Sequence, residues 1–338
     1  MWYFLTGCRL TLWEYLKEKM KVSVCIPVYG VEKYIERCAR SLFDQTMKND
    51  IEFIFVDDCT PDRSIEVLEA ILSEYPERRS QVKIVRHSHN KGLTGARNTA
   101  LKEASGAYII HCDSDDWVDV DLYERMYKTA VETGSDVVCC GIAIEKDSGS
   151  ILLNLKGTSL EEWFVNGFNS ITFNSLCNKM FSGRLALSPD IQAPEHITMA
   201  EDLLRTTQMF LSGCSKVAVC PDGYYHYYRG NPGASTTVFS RKAFDSSTEA
   251  LRILIDRFPE EYASYAEACK GQIIFSALRV TEVSKKEFKS LYDRKTCLKA
   301  SCNRHLILAK RLILFLSLIS FHLARACCRF FECVARKS

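Results

Sequence analysis

Between residues 21 and 112 the chain repeats one pattern. A short, nearly unbroken apolar run is followed by a stretch with helical spacing. KVSVCIPVY (21–29) is β-branched and apolar, with Pro27 near its end. VEKYIERCARSLFDQT follows, with Val31, Tyr34, Ile35, Cys38 and Leu42 on one helical stripe. IEFIFVDD (51–58), VKIVRH (82–87) and AYIIHC (107–112) read as three more strands. Two helical segments alternate with them. One carries Ile65, Leu68, Leu72 and Tyr75 on its stripe, with Thr60 and Pro61 read as its N-cap and first position. The other is TGARNTALKEAS, closed near Gly106. Strands apolar on both faces that alternate with helices predict an α/β fold, a mostly parallel sheet covered on both sides. Such sheets bind ligands beyond the carboxyl ends of their strands. The loops at 28–32, 57–60, 88–92 and 112–117 should therefore share one crevice.

The later part is less regular. SDVVCCGIAIE (135–145) and KVAVCPDGYYHYYR read as strands, LEEWFVNG as a helix, and NSLCNKMFSG as a lead into a strand or turn. ITMAEDLLRTTQMFLSG contains a helix with Leu203, Leu204, Thr207, Phe210 and Leu211 along one flank. From about residue 240 the pattern is helical and basic. This divides the chain into an N-terminal extension (1–20), an α/β domain (21–238) and a helical C-terminal region (239–338). Met20 directly precedes the first strand, so residues 1–19 also read as an extension upstream of the true start; they lack the shape of a signal peptide.

The 338 residues carry a net charge of +2, so no global field points to nucleic acid. The sixteen cysteines show no paired CxxC metal spacing and fall largely in apolar stretches. That favours a reducing, cytoplasmic compartment. In the tail, 306–338, the uncharged run from 312 to 324 is 13 residues, short of the roughly 20 that span a bilayer. Its aromatic, aliphatic and cationic mixture suits either an interfacial helix on the inner face of a membrane or a buried core helix. Cys327, Cys328 and Cys333 are open to acylation, though nothing in the sequence demands it.

HCDSDDWVD (111–119) carries the densest charge. On an extended backbone Asp113 and Asp115 would project to one side, about 7 Å apart. A hard divalent cation with substrate phosphates would offset their repulsion. Alternatively the acids cap the next helix, and Asp116 suits that role. Asp57 and Asp58 end the second strand at the same sheet edge, where a carboxylate can accept hydrogen bonds from a base or ribose. Neither a G-x-G-x-x-G after the first strand nor a G-x-x-x-x-G-K-[ST] occurs, so no glycine loop cradles pyrophosphate.

VSVCIPVYGVEKYIERCARSLFDQT, IEFIFVDDCTPDRS, HNKGLTGARNTALKEASGAYIIHCDSDDW and AEDLL together resemble a family 2 glycosyltransferase with the GT-A fold. The resemblance is dense over residues 21–120 and thinner to about 235. It implies an inverting, Mn²⁺- or Mg²⁺-dependent transfer from a sugar nucleotide, a UDP-sugar in the first instance. The acceptor would be a hydroxyl of a glycan or lipid-linked oligosaccharide in cell-surface polysaccharide synthesis. It implies that Pro27, Val28, Tyr29, Glu32 and Asp58 hold the base and ribose. Asn90, Gly92, Ala96, Arg97 and Asn98 would line the diphosphate and donor sugar. Asp113, Ser114 and Asp115 would contact ribose and metal, with Asp115 the direct ligand. Asp202 would be the general base, with Glu201 beside it as a possible acceptor contact. Lys179 stands either at the diphosphate or acceptor or as a solvated lysine. His226 either completes the metal shell or packs among tyrosines. Gly92 alone reads equally as a turn glycine, Arg97 as a partner for an acid across the sheet, and Glu201 and Asp202 as first-turn acids. Cys59-Thr60-Pro61 replaces the family's common Gly-Ser-Thr, which leaves the shape of that loop open. A nucleotidyltransferase would need a glycine- and arginine-rich loop where this chain has VYGVEKY. A non-catalytic nucleotide-sugar-binding component of a polysaccharide assembly complex is the alternative.

Overall fold

A computed structural model of the protein describes residues 20–155, 171–233, 239–291 and 293–337. The extension 1–19 and the helix expected at LEEWFVNG lie outside them. Among the described residues nine strands form one mixed sheet: β1 (Val22–Val28), β2 (Ile51–Asp57), β3 (Val82–Arg86), β4 (Tyr108–His111), β5 (Trp117–Val118), β6 (Val137–Lys146), β7 (Gly149–Leu153), β8 (Lys179–Ser182) and β9 (Val217–Tyr228). The order is β3-β2-β1-β4-β8-β6-β9-β5, with β7 paired to β6. β1 to β4 are mutually parallel, β8 is antiparallel to β4 and β6, and β9 runs parallel to β6. The short β5 and the hairpin strand β7 carry too little pattern to be read from sequence.

Alternation explains the continuous apolar runs. Val22, Val24, Ile26 and Val28 point into one core with α1 (Ile35–Phe43) and α2 (Ser64–Ser73). Cys25, Ile54, Val56 and Ile109 point into the other, with α3 (Gly92–Glu103) and α5 (Glu201–Leu211). Between them α4 (Leu122–Thr133) packs on the first face. β1, β2 and β4 are buried on both faces and have no polar face to display, whereas the edge strand β3 stays half-exposed.

The C-terminal region is α6 (Arg241–Arg257), α7 (Ala263–Arg279), α8 (Lys285–Leu291), α9 (Arg294–Cys302), α10 (Leu308–Ile319) and α11 (Phe321–Lys337). These helices continue the second core: Phe244, Leu251, Ile274, Leu278, Leu314, Phe321 and Ala324 belong to the same cluster as Cys25 and Ile54. The tail is therefore part of a buried core, one of the two readings the sequence allowed, and it also keeps apolar positions exposed. Ile313 and Leu314 of α10 are buried, whereas Leu308, Leu312, Phe315 and Ile319 are exposed. Cys328 is wholly buried, which closes it to acylation. The cysteines of the described residues are free thiols, most of them buried. Among the described residues no helix is long and apolar enough to cross a membrane.

Two helix starts differ from expectation. α2 begins at Ser64, because Asp62 organises the preceding loop: it accepts from Thr60 Oγ1, from Ser64 N and from Glu32 N. α4 begins at Leu122, and Asp116 does not cap it.

Candidate active site

The carboxyl ends of β1, β2 and β4 open into a cavity of about 830 Å³. Pro27, Val28, Tyr29, Asp58, Asn90, Gly92, Ala96, Arg97, Asp113, Ser114, Asp115, Glu201 and Asp202 all line it. These residues come from segments up to 175 positions apart in the chain, brought together by one sheet edge. Asp57, Glu32, Lys179 and His226 are not among its walls.

The loops after β1 and β2 are tied to each other. Gly30 N donates to Thr60 Oγ1 at 2.9 Å and Val31 N to Ser64 Oγ at 3.0 Å. Glu32 pairs with Arg63 at 2.7 Å on the outside of this knot. Asp57 turns back to accept from Thr60 N at 2.9 Å, so it shapes the loop and leaves Asp58 to face the cavity. Cys59 takes φ 58°, the left-handed conformation that a glycine in the common pattern adopts freely. The departure at Cys59 thus places a side chain in a conformation that costs more for a residue with a Cβ than for glycine.

Asp58 is 2% exposed and accepts from His87 Nδ1 (2.7 Å), Lys91 N (2.8 Å) and Gly92 N (2.8 Å). It anchors the first turn of α3. Gly92 has φ +77°, so glycine is needed for the turn and also stands in the cavity wall.

Arg97 is the hub. It is 1% exposed, on α3, and its Nη2 donates to Asp113 Oδ1 at 2.8 Å. Its Nη1 reaches Glu201 Oε2 at 2.5 Å and also Asp202 Oδ1. Glu201 is pulled the other way by Arg205, and the two guanidiniums overcome its burial to hold it well below the usual carboxylate range. Asp202 is about a third exposed and turned to the cavity. Desolvation pushes its carboxyl up to about 7, with Arg97 opposing and the charges of Glu201 and Asp113 adding. Two adjacent acids of one helical turn are thereby driven apart, one fixed as a charge and one near the pKa of a base at neutral pH.

The acid-rich segment is a turn, not an extended strand: Asp116 N donates to Asp113 O at 3.1 Å. Its three carboxylates fan out to separate partners. Asp113 meets Arg97; Asp115 Oδ2 accepts from Asn231 Nδ2 at 2.8 Å. Asp116, buried, accepts from Tyr225 OH and from Tyr228 N at 2.8 Å. Arg37 lies 3.7 Å above the Trp117 ring and donates to Asp115 O at 3.0 Å. Asp115 is still raised above the ordinary range, first by burial and then by Asp113. Among the described residues no three His, Cys, Asp or Glu side chains converge as a metal cluster. Asp115, whose side chain is paired with a neutral amide, and Asp113 near it could hold a hard cation whose remaining ligands come from substrate phosphates.

Lys179 is fully buried and donates to Thr172 O (2.9 Å), Ser175 O (2.5 Å) and Asn178 Oδ1 (2.9 Å), which rules out a solvated side chain. Burial lowers its pKa to about 8. It braces the segment that places Ser175 and Cys177 in the wall. His226 stacks on Trp117 at 5.1 Å, and its nitrogens bond Glu145 (2.8 Å) and Asp119 (2.9 Å). With both nitrogens engaged it has no lone pair to offer a metal beside Asp115. Arg37, Tyr225 and Asn231 were not legible as site residues, since no motif marks them.

A mixed sheet with helices on both faces and an acid-lined cavity at its strand ends is the architecture of the GT-A nucleotide-sugar transferases. The model described as "Glycosyl transferase family 2" matches residues 23–182. An uncharacterized glycosyltransferase, EpsJ of Bacillus subtilis, is 30% identical over 260 residues, 75% of this chain and 73% of that one. The poly(ribitol-phosphate) beta-glucosyltransferase of Bacillus spizizenii is 34% identical over 221 residues; the match covers 65% of this chain but only 34% of that longer relative. A crystal structure of Staphylococcus aureus TarS 1-349 in complex with UDP-GlcNAc superposes with a TM-score of 0.68 at 21% identity, covering 93% of this chain and 92% of that one. The chain belongs to glycosyltransferase family 2, and it is a glycosyltransferase.

Proposed function

We propose that the protein transfers a sugar from a UDP-sugar to a hydroxyl of a glycan or lipid-linked acceptor, with inversion at the anomeric carbon. The observation that carries this reading is the Arg97 bridge. It joins Asp113, at the acidic turn, to Asp202, the near-neutral carboxylate, within one cavity. The UDP-GlcNAc complex of the similar TarS fold and the poly(ribitol-phosphate) transferases among the relatives support the donor class and the polymer setting.

The base and ribose fit against Pro27, Tyr29 and Asp58, and the diphosphate against Asn90, Gly92 and the acidic turn. Asp115, assisted by Asp113, would hold Mn²⁺ or Mg²⁺, which supplies Lewis-acid neutralisation of the diphosphate charge. Asp202 takes the proton from the acceptor hydroxyl. That oxygen forms the new bond to the anomeric carbon as the bond to UDP breaks, and UDP leaves with the electron pair. Glu201, fixed as an anion by Arg97 and Arg205, keeps Asp202 high enough in pKa to accept that proton. The test is Asp202→Asn. Transfer should fall by at least about 100-fold with UDP binding nearly intact; equal turnover removes Asp202 from the role.

We further propose a peripheral contact with the cytoplasmic face of a membrane. On α10 the exposed positions Leu308, Leu312, Phe315 and Ile319 form one apolar stripe. The neighbouring helices α9 and α11 and the loop before α10 carry the exposed cations Arg294, Lys295, Lys299, Arg304 and Arg329. An exposed apolar stripe in a cation-rich helical region suits an anionic lipid surface.

A further inference from the structure

The far wall of the cavity is α6 and α7, whereas its acidic rim is also held from outside, by residues that do not line it. β5 follows the acidic turn directly and is two residues long, so few main-chain bonds fix where the turn lies. Side chains add to them. Trp117 stands opposite His226 across the β5–β9 pair, and the two rings stack at 5.1 Å, 8° from parallel. Arg37 lies over the Trp117 ring at 3.7 Å and over the Tyr228 ring at 4.6 Å, and it donates to Asp115 O at 3.0 Å. The stack thus ends on the main chain of the acidic turn.

At its other end His226 meets two carboxylates at once. Nε2 bonds Asp119 Oδ1 at 2.9 Å and Nδ1 bonds Glu145 Oε1 at 2.8 Å. Asp119 lies just beyond β5 and also accepts from Tyr224 N at 2.9 Å; Glu145 stands on β6 and also accepts from Ser150 Oγ. An imidazole can donate to both acids only as the cation, because the neutral ring has a single N–H. Burial works against that charge, but the two carboxylates outweigh it and raise His226 above the usual histidine range. The other charges around the group are Arg37 on α1, which acts on Glu145, and Arg125 on α4, which acts on Asp119. Both are cations, and both keep their carboxylate ionised.

We propose that His226 is a positioning residue for donor binding: its imidazolium ties Asp119 to Glu145 and, through the Trp117 stack, holds the acidic turn where Asp113 and Asp115 meet the diphosphate. This deepens the transferase reading and rests on it. When the ring loses its proton, one of the two carboxylates loses its donor, and the segment from Asp115 to Asp119 is released on that side. Because the histidine is raised in the folded chain, the brace is complete at and below the usual histidine range and fades as pH rises through the raised value. UDP should therefore bind less well in alkaline solution, for a reason separate from Asp202.

The experiment is calorimetric titration of the full chain with UDP at fixed Mg²⁺, from about pH 7 to about pH 9. It uses the Asp202→Asn background, so that ionisation of Asp202 does not contribute. With His226 present, UDP affinity should fall by about fivefold or more across that range. Adding His226→Gln should weaken UDP by about tenfold at the acidic end and leave the profile flat. An NMR titration of the His226 ring in the unaltered chain is the second readout. Its midpoint should lie above the ordinary 6.5 and coincide with that of the UDP profile. If His226→Gln does not fold, that coincidence decides. A flat profile with His226 present, the same limb after His226→Gln, or a ring midpoint at or below 6.5 overturns the proposal. So does a lower melting temperature with unchanged UDP affinity, which would make the stack a brace of the fold alone. If the chain binds no UDP at any pH, the donor reading itself fails and the positioning role falls with it.

Discussion

Arg97 shows how one side chain sets the chemistry of several others. Three acids converge on it inside the fold, and its removal would leave Asp113 and Asp202 without their cation and Glu201 with Arg205 alone. Arg97→Gln should therefore cost about 3–5 kcal/mol of stability, read from denaturant unfolding. A loss under about 1 kcal/mol would mean that the acids find other partners. Asp202 carries the pH prediction. It serves as a base only when ionised, and its carboxyl sits near 7. With donor and acceptor saturating, kcat should rise with pH through about 7 and decay below it. Asp202→Asn should show a low rate without that limb. A wild-type profile flat down to pH 5 would contradict the assignment. The family resemblance pointed to both residues. Their mutual contact was legible only as a general pairing of Arg97 with an acid, because the partners stand 104 and 105 positions away.

At the scale of elements, the N-terminus of α3 and the stripe on α10 respond to different physics. Gly92 has open space where a Cβ would go, so Gly92→Ala meets backbone strain and no clash. A net loss of about 1 kcal/mol is expected, after allowing for the stiffer unfolded chain. UDP affinity should also drop, because the Gly92 amide that bonds Asp58 would tilt. An unchanged affinity would detach this turn from donor binding. On α10, Phe315→Ser with Leu312→Ser replaces exposed side chains and should barely alter the melting temperature. Co-sedimentation with phosphatidylglycerol vesicles should fall severalfold. Undiminished sedimentation would place the membrane contact elsewhere. Deleting 306–338 is the poorer test, since it also strips Leu306, Ile313, Leu314 and Phe321 from the core. Helical spacing foretold that α10 is apolar. Which half of it is buried depended on α7, α9 and α11 packing against it.

For the whole molecule, the shared core predicts that sheet and C-terminal helices unfold together. Leu314→Ala should cost about 2–5 kcal/mol and shift a single calorimetric transition, which UDP raises as one. Two transitions with the UDP shift confined to one would separate the parts. The amino-acid sequence by itself determined the alternation of strands and helices, the order of the acidic blocks along one sheet edge, and the family they belong to. The alternation is a short-range property, set by side-chain periodicity and turn residues within a few positions, and the family follows from the resemblance of four short blocks. The tertiary structure alone decided that Asp57 shapes a loop while Asp58 faces the cavity. It also decided that Lys179 is a buried brace, that His226 has no free nitrogen, that Asp116 is not a cap, and that α6 and α7 form the cavity's far wall. Burial and charge environment arise from segments a hundred or more residues apart meeting in space, and no local pattern encodes which of several acids a given cation will meet.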